Sequence, residues 1–410
     1  MLTDLVFALA ARGHRITVVT SRLSYDDPST RYPKKEFVAG VEVLRVATTG
    51  FGRTGLAGRA LDYLTFYLAV AWMLLLKARR GDVIVAKTDP PLLSLAITPV
   101  ARLRGARAVN WLQDIFPEVA TKLGLAQGRI WRAPIAALRW WRDRTLRKAV
   151  LNVAIGERMA SILRSLGVSS ERIRIIPNWA DGALVRPVAP GNNRLRQAWG
   201  LEDAFVVGYS GNLGRAHDMS TFVQAIALTE AVAANDVGEA QLAVGAPPLV
   251  RAAANARIAW LFVGGGTQLA KLRLESQRQD FASAHFHPYQ PRERLGESLS
   301  VPDVHVITLR PELEGLIVPS KYYGIAAAGR PAIFIGDPQG EIGRILTESG
   351  TGFIVAEGDG DGLARAVRSL AEDRSRANEM GQRARALFEA RYDVRFSIEA
   401  WEELLWSLQA

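Results

Sequence analysis

Val206-Val207-Gly208-Tyr209-Ser210-Gly211-Asn212-Leu213-Gly214-Arg215 opens the second half of the chain and sets its architecture. A β-branched and aromatic run, Phe205–Tyr209, enters a pair of glycines, and a helical pattern takes over from Met219. Glycine lets the main chain approach a phosphate, a helix N-terminus supplies unpaired N–H donors and positive potential, and Arg215 adds a forked cation. The order strand, glycine turn, helix is that of the first unit of a nucleotide-binding βαβ fold. A tight βα loop that binds nothing uses the same residues, so the surrounding pattern has to decide.

On either side the pattern is consistent. Strands are expected at Ile16–Thr20, Val41–Val46, Val83–Ala86, Ala108–Leu112, Leu151–Ile155 and Ile173–Ile176, with helical stretches between them. Turn formers then cluster from Pro177-Asn178 to Asn192-Asn193. A second series follows at Phe205–Tyr209, Ala259–Val263, Ala284–His287, Val304–Thr308, Ala332–Ile335 and Phe353–Val355. Two such series in an α/β chain imply two facing Rossmann-like domains with parallel sheets. The expected bounds are 1–180 and 196–393, joined by a linker at 181–195. A terminal helix over 394–410, with Trp401 and Trp406, is expected to pack back on the first domain. Residues 231–256 are Ala/Gly-rich and weakly patterned and read as an inserted loop or an extended helix. Asp359-Gly360-Asp361 reads as a surface turn before a helix.

Composition excludes several chemistries. There is no cysteine, so disulfides, thiolate metal sites and cysteine nucleophiles are absent, and the 5 histidines have no ligand spacing. No metal site is expected. Net charge is +10 and pI about 10.0, which favours anionic partners such as phosphates or acidic lipid. Nucleic acid is not expected, since no nucleic-acid motif accompanies the charge. Much of the excess lies in Arg102–Arg107 and Arg129–Lys148, the latter interleaving Trp131, Trp140 and Trp141 with arginines. That pattern fits a solvated helix with a core face and a membrane-surface helix equally well. The uncharged run Tyr63–Leu76 is shorter than the ~20 residues a span requires, and reads first as a buried core helix or an interfacial one. Asp4 interrupts the first apolar run, so no signal peptide is expected.

A second chemical segment is Leu309-Arg310-Pro311-Glu312-Leu313-Glu314-Gly315-Leu316-Ile317-Val318-Pro319-Ser320-Lys321, which leads into a small-residue helix. A carboxylate there can bond a ribose diol and a lysine can neutralise a diphosphate; solvated loop charges would look the same. Taken with Arg12-Gly13-His14, Gln113-Asp114-Ile115-Phe116-Pro117-Glu118, Ile176-Pro177-Asn178 and Phe262-Val263-Gly264-Gly265-Gly266, the segments resemble a known family. Pro319-Ser320-Lys321-Tyr322-Tyr323-Gly324, Ala328-Gly329-Arg330-Pro331 and Gly340-Glu341-Ile342 carry the likeness further. The family is the large retaining GT-B glycosyltransferases. More narrowly the chain resembles their bacterial branch that adds sugars, often N-acetylamino sugars, in O-antigen and exopolysaccharide assembly.

The resemblance implies roles residue by residue. The glycine-rich turn, here Gly211, Asn212, Leu213, Gly214 and Arg215, would cradle the donor diphosphate, with Gly265 of the neighbouring glycine run beside it. Glu314, Gly315, Leu316, Pro319 and Lys321 would hold sugar and ribose. Gln113 and Asp114 form the acceptor-side motif, and Asp114 and Glu314 are the expected catalytic carboxylates. Many members carry a second glutamate that contacts the ribose, where this chain has Gly324, and an arginine where it has Asn212. Arg215 and Lys321 supply the charge in its place. The implied partners are a UDP-sugar, a lipid-linked saccharide acceptor and an anionic membrane surface. No cofactor is implied, and the implied location is cytoplasmic, peripherally held at the inner membrane face. A UDP-sugar epimerase on the same plan, or a degenerate non-catalytic subunit, are the competing readings.

The beginning of the chain departs from the pattern. A Rossmann-like domain starts with a strand and a glycine turn, whereas this sequence enters a helical pattern at Leu5 and reaches Ile16–Thr20 as its first strand. The resemblance places the missing strand and turn upstream of Met1, over roughly 15–20 residues. Residues 1–410 are therefore expected to express poorly or transfer no sugar, and an upstream-extended chain to be soluble and active, with a genuinely truncated variant as the alternative. Mass spectrometry of the native N-terminus is the check; a fully active protein reading from Met1 would defeat the expectation.

Overall fold

In a computed structural model, residues 1–24, 30–51, 56–125, 128–242 and 257–409 are described. They divide into two compact units. The first comprises Met1–Pro177 with Gly315–Ile317 and Arg395–Ala410; the second comprises Asn178–Glu314 and Val318–Val394.

The first unit carries seven strands: β1 (Thr17–Ser21), β2 (Lys35–Val38), β3 (Val41–Val46), β4 (Val83–Lys87), β5 (Arg107–Trp111), β6 (Leu151–Ala154) and β7 (Ile173–Ile175). They form two sheets where the strand series suggests one, ordered β1-β3-β2 and β4-β5-β6-β7. β2 is the strand the sequence does not announce. Lys35–Val38 is largely exposed and pairs antiparallel with β3 across a turn at Ala39-Gly40. The helix Leu56–Lys77 ties the two sheets together, because Val70, Phe66 and Tyr67 share one apolar cluster with Val19, Val46, Ile84 and Ala86. The terminal helix Val394–Gln409 packs its Trp401 edge-on against Trp111, ring centroids 5.0 Å apart, and its Glu402 accepts from His14 Nε2 at 3.2 Å.

The second unit is one six-stranded parallel sheet. Its strands are β8 (Phe205–Asn212), β9 (Ile258–Gly265), β10 (Ala284–His287), β11 (Val304–Thr308), β12 (Ala332–Ile335) and β13 (Gly352–Val355). Their order is β10-β9-β8-β11-β12-β13, the doubly wound arrangement with its reversal between β8 and β11. Helices on one face close a core around Phe205, Phe222, Trp260, Phe262, Ile333 and Leu363. Asp359 does stand before a helix, accepting from Gly362 N–H at 2.8 Å as the N-cap of Gly360–Glu372. The helix Ser220–Leu242 enters the 231–256 segment, of which 243–256 lie outside the described residues.

A buried arginine fastens the start of this sheet. Arg196, on the short helix Arg194–Ala198, forks onto Asp303 with two bonds of 3.0 Å and donates to the carbonyls of Val301 and Leu201 at 2.9 and 3.1 Å. Asp303 in turn accepts the Val206 N–H at 2.8 Å, so one ion pair joins the linker side, β8 and the entry to β11. Arg196→Ala leaves the carboxylate uncompensated and the carbonyls without a donor. The expected cost is about 3–5 kcal/mol, seen as a lower urea midpoint for the second unit.

Candidate functional site in the second unit

In a doubly wound sheet the ligand crevice lies beyond the carboxyl ends of the strands where the winding reverses. Here β8 and β11 pair only through Val207–Val304 and Gly208–His305 among the described residues, whereas β8 follows β9 through to Asn212–Gly265. The crevice therefore opens between β8 and β11 past Gly208.

The strand runs further than the sequence suggests: Ser210, Gly211 and Asn212 belong to β8 rather than to the turn. Glycine makes this extension fit. A Cβ on Gly264 would strike the Gly211 carbonyl group, and one on Gly211 would meet Lys321 Cε at 2.8 Å. One on Gly266 would strike Asn212 Oδ1 and Leu213 O. All three sit at positive φ, +138° for Gly264, +118° for Gly211 and +115° for Gly266, which other residues adopt only with strain. Leu213 is buried, donates its N–H to Gly265 O at 2.8 Å and accepts from Gln268 N–H at 2.9 Å.

Beyond Leu213 the main chain turns outward. The N–H groups of Gly214, Arg215 and Ala216 have no protein acceptor among the described residues, and the Arg215 side chain is exposed. The first N–H groups of the following helix are not free, contrary to the expectation from the motif. Asp218 takes those of Ser220 and Thr221 at 3.1 and 2.9 Å. Burial works to raise the Asp218 pKa, but hydroxyl and N–H donors from Thr221 and Ser220 prevail and hold it below its ordinary value. Anion capacity thus rests on the Gly214–Ala216 main chain and on side-chain cations.

Lys321 is the cation at the floor. Its Nζ reaches Asn212 O at 3.4 Å, stands 3.3 Å from His217 Nε2 and lies over the Tyr209 ring, 5.0 Å from its centroid. The carbonyl of Thr308 can only accept, so the 2.6 Å contact from His217 Nδ1 places the histidine proton there and leaves Nε2 as an acceptor for the ammonium. Burial lowers the His217 pKa to about 4, assisted by the positive Lys321, so the ring is neutral at physiological pH. Burial also brings Lys321 down to about 8.

The remaining expected residues are dispersed. Glu314 turns its carboxylate to the start of the helix Glu341–Ser349, where Oε1 accepts the Glu341 N–H at 2.9 Å beside Gly340. Pro319 is buried just before the helix Lys321–Ala327. Gly315 and Leu316 belong to the first unit: Leu316 O accepts the Ile115 N–H at 3.0 Å, and Ile317 bridges Asp114 antiparallel. Asp114 and Gln113 follow β5, their N–H groups on Thr88 Oγ1 at 3.4 and 2.8 Å. Burial, with the negative Asp89 adding to it, raises the Asp114 pKa to about 6. Gln113 Nε2 is buried without a partner among the described residues. No group of three histidine, aspartate or glutamate side chains converges as a metal-ligand set among the described residues.

Sequence reasoning does not single out Tyr209, His217 or Asp218. The signal was present for the last two, a histidine and an aspartate in the turn directly after Arg215. Their roles depend on Thr308, some ninety positions away.

A crevice at the switch point of a doubly wound sheet is the ground plan of a nucleotide-binding unit. Residues 1–179 match the Glycosyl transferase 4-like domain and residues 192–387 match Glycosyl transferases group 1. The chain belongs to the group 1 glycosyltransferases of GT-B fold. It is 24% identical over 328 residues to the probable glycosyltransferase WbjE of Pseudomonas aeruginosa, covering 79% of this chain and 74% of that one. It is 25% identical over 353 residues to the putative colanic acid biosynthesis glycosyl transferase WcaI of Escherichia coli K12, covering 83% and 80%. Among solved structures it is similar to HepE of Anabaena in complex with UDP-glucose, with TM-score 0.69 and 16% identity over 99% of this chain and 94% of that one.

A pH dependence follows from the floor of the crevice. Lys321 is charged below about pH 8 and loses its proton above it. Affinity for a nucleoside diphosphate, measured by calorimetry, is expected to fall as pH rises through about 8. Lys321→Arg should remove that fall, and Lys321→Ala should weaken binding roughly tenfold or more at pH 7.

Proposed function

We propose that this glycosyltransferase transfers a sugar, an N-acetylamino sugar in our reading, from UDP to a lipid-linked saccharide during assembly of a cell-surface polysaccharide. The reaction retains anomeric configuration and uses no metal. One observation carries the donor side: three main-chain N–H groups without a protein acceptor among the described residues, Gly214 to Ala216, follow β8 at the crevice that holds the Lys321 ammonium. As the bond from the anomeric carbon to the diphosphate oxygen breaks, charge develops on the leaving oxygen. Fixed N–H groups with Lys321 and Arg215 are the arrangement that stabilises it without reorganisation. The new bond forms to an acceptor hydroxyl, whose proton leaves as it does so; Asp114, ionised above about pH 6, is assigned to orient that hydroxyl or take the proton. Glu314 is assigned to the sugar through the loop it anchors. UDP-glucose in HepE and the colanic acid assignment of WcaI support a UDP donor and a polysaccharide product.

The test is release of UDP from a panel of UDP-sugars, with and without lipid-linked acceptor. Release that needs both substrates is the expected result. Donor conversion without acceptor would mark an epimerase, and inertness with intact UDP binding a non-catalytic subunit. The kcat profile is expected to rise through about pH 6 with the ionisation of Asp114, and Asp114→Asn to remove that limb with most of the activity.

A further inference from the structure

The helix Leu56–Lys77 has two faces of the same polarity. One packs into the first unit's core through Phe66, Tyr67, Val70, Met73 and Leu74. The other exposes Leu61, Leu64, Leu68, Trp72 and Leu76, with relative exposure rising from 41% at Leu61 to 64% at Trp72. At about 100° per residue these five fall within an arc of about 120°, a stripe roughly 22 Å long that no charged residue interrupts. Its exposed ends are Arg59 and Lys77. The stretch Gly58–Lys77 is long and apolar enough to cross a bilayer and only 11% of it is buried, but its inner side packs on residues of β1, β3 and β4, so it presents a flank and not a free cylinder.

Charge beside this flank is mostly basic, with Asp82, Asp89 and Glu118 as the neighbouring carboxylates, the last paired with Arg139 and Arg142. The helix Ser94–Arg104 packs against it and also against Arg129–Lys148. Arg104 Nε donates to Ala78 O at 2.9 Å, and Ser94 Oγ lies 3.3 Å from Thr145 Oγ1. Arg102, Arg144 and Lys148 gather at this junction; the lysine pKa is lowered by desolvation and by the two neighbouring guanidinium groups. Ile130, Trp131, Trp140 and Trp141 are exposed on the third helix, beside an open groove of about 820 Å³ that Arg129 and Arg132 also line. The only acidic residues on the three helices are Asp62 and Asp143, and both are taken. Asp62 accepts from Thr49 Oγ1 at 2.7 Å, and Asp143 from Arg142 at 2.7 Å.

We propose that this three-helix face docks on an anionic phospholipid surface, with Leu61, Leu64, Leu68, Trp72 and Leu76 in the acyl boundary and the arginines and lysines among the headgroups. An apolar stripe alone would suit a second copy of the chain, but a like-charged rim would repel it, whereas anionic headgroups are attracted to it. The helix lies in the membrane plane, because its inner face is held by the core. This docking is independent of the donor reaction and would stand if the donor were another nucleotide sugar.

The chain has no cysteine, so Leu68→Cys carries a single environment-sensitive fluorophore on the stripe. With vesicles of phosphatidylglycerol and phosphatidylcholine its emission is expected to shift to the blue, with no shift for pure phosphatidylcholine at the same salt. Flotation of the unlabelled protein should follow the same lipid order and fall as salt rises. Leu64→Gln, Leu68→Gln and Trp72→Gln together should reduce vesicle binding at least tenfold without lowering the melting temperature. Failure to float with anionic vesicles at low salt, or undiminished binding by the triple variant, overturns the proposal. So does a dimer that the triple variant dissociates while the wild type ignores vesicles, which would give the stripe to a second copy.

Discussion

The contact between Gly211 and Gly264 governs the second unit. Two neighbouring strands approach there more closely than any Cβ allows, and that approach keeps β8 in register with β9 as far as Asn212 while its other edge parts from β11 at Gly208. A crevice results that is walled by main chain. Lys321 can lie along its floor because Gly211 has no side chain, and Asn212 and Leu213 can pack against Gly266 because it has none. The three glycines act as one constraint, and the positions of Lys321, His217 and the free N–H groups follow from it.

Lys321 is held by opposed forces. Burial strips water from its ammonium and draws its pKa down, while the Tyr209 ring face, the Asn212 carbonyl and the neutral His217 offer partial compensation. None of these carries a full negative charge. A cation left short of compensation is ready for an anion, and the geometry withholds the cheaper solution of a permanent carboxylate partner. Asp218, next in sequence to the His217 that faces Lys321, spends its oxygens on the cap of the helix Ser220–Leu242 instead.

Much of this was legible in the residues. Short β-branched and apolar runs located β3, β6, β10, β11 and β12 almost to the residue; β6, β11 and β12 are buried along their whole length, as strands covered on both faces are. β2 escaped because an exposed antiparallel edge strand such as Lys-Glu-Phe-Val has no such requirement. The glycine motif located the crevice but not the end of β8. A glycine that permits a turn and a glycine that permits a close strand are spelled alike, and only the facing Gly264 tells them apart. Glu314 was legible as a loop carboxylate; that its oxygen faces the N-terminus of Glu341–Ser349 depends on packing that no local pattern encodes. The helix Leu56–Lys77 read as either core or interface, and it is apolar on both sides because one side is core and the other is open.

The main-chain character of the Gly214–Ala216 donors has a consequence for how such an enzyme diversifies. Side chains around a crevice can be exchanged freely by mutation, but an N–H group is deleted only by proline, and the turn that aims it is lost only with its glycines. In the function we propose, recognition of the invariant part of a donor by these groups is thereby insulated from sequence drift. On that reading the exposed side chains of the Arg310–Ser320 loop, such as Glu312, can vary, so a lineage can change the sugar it handles without rebuilding the grip on what that sugar is attached to.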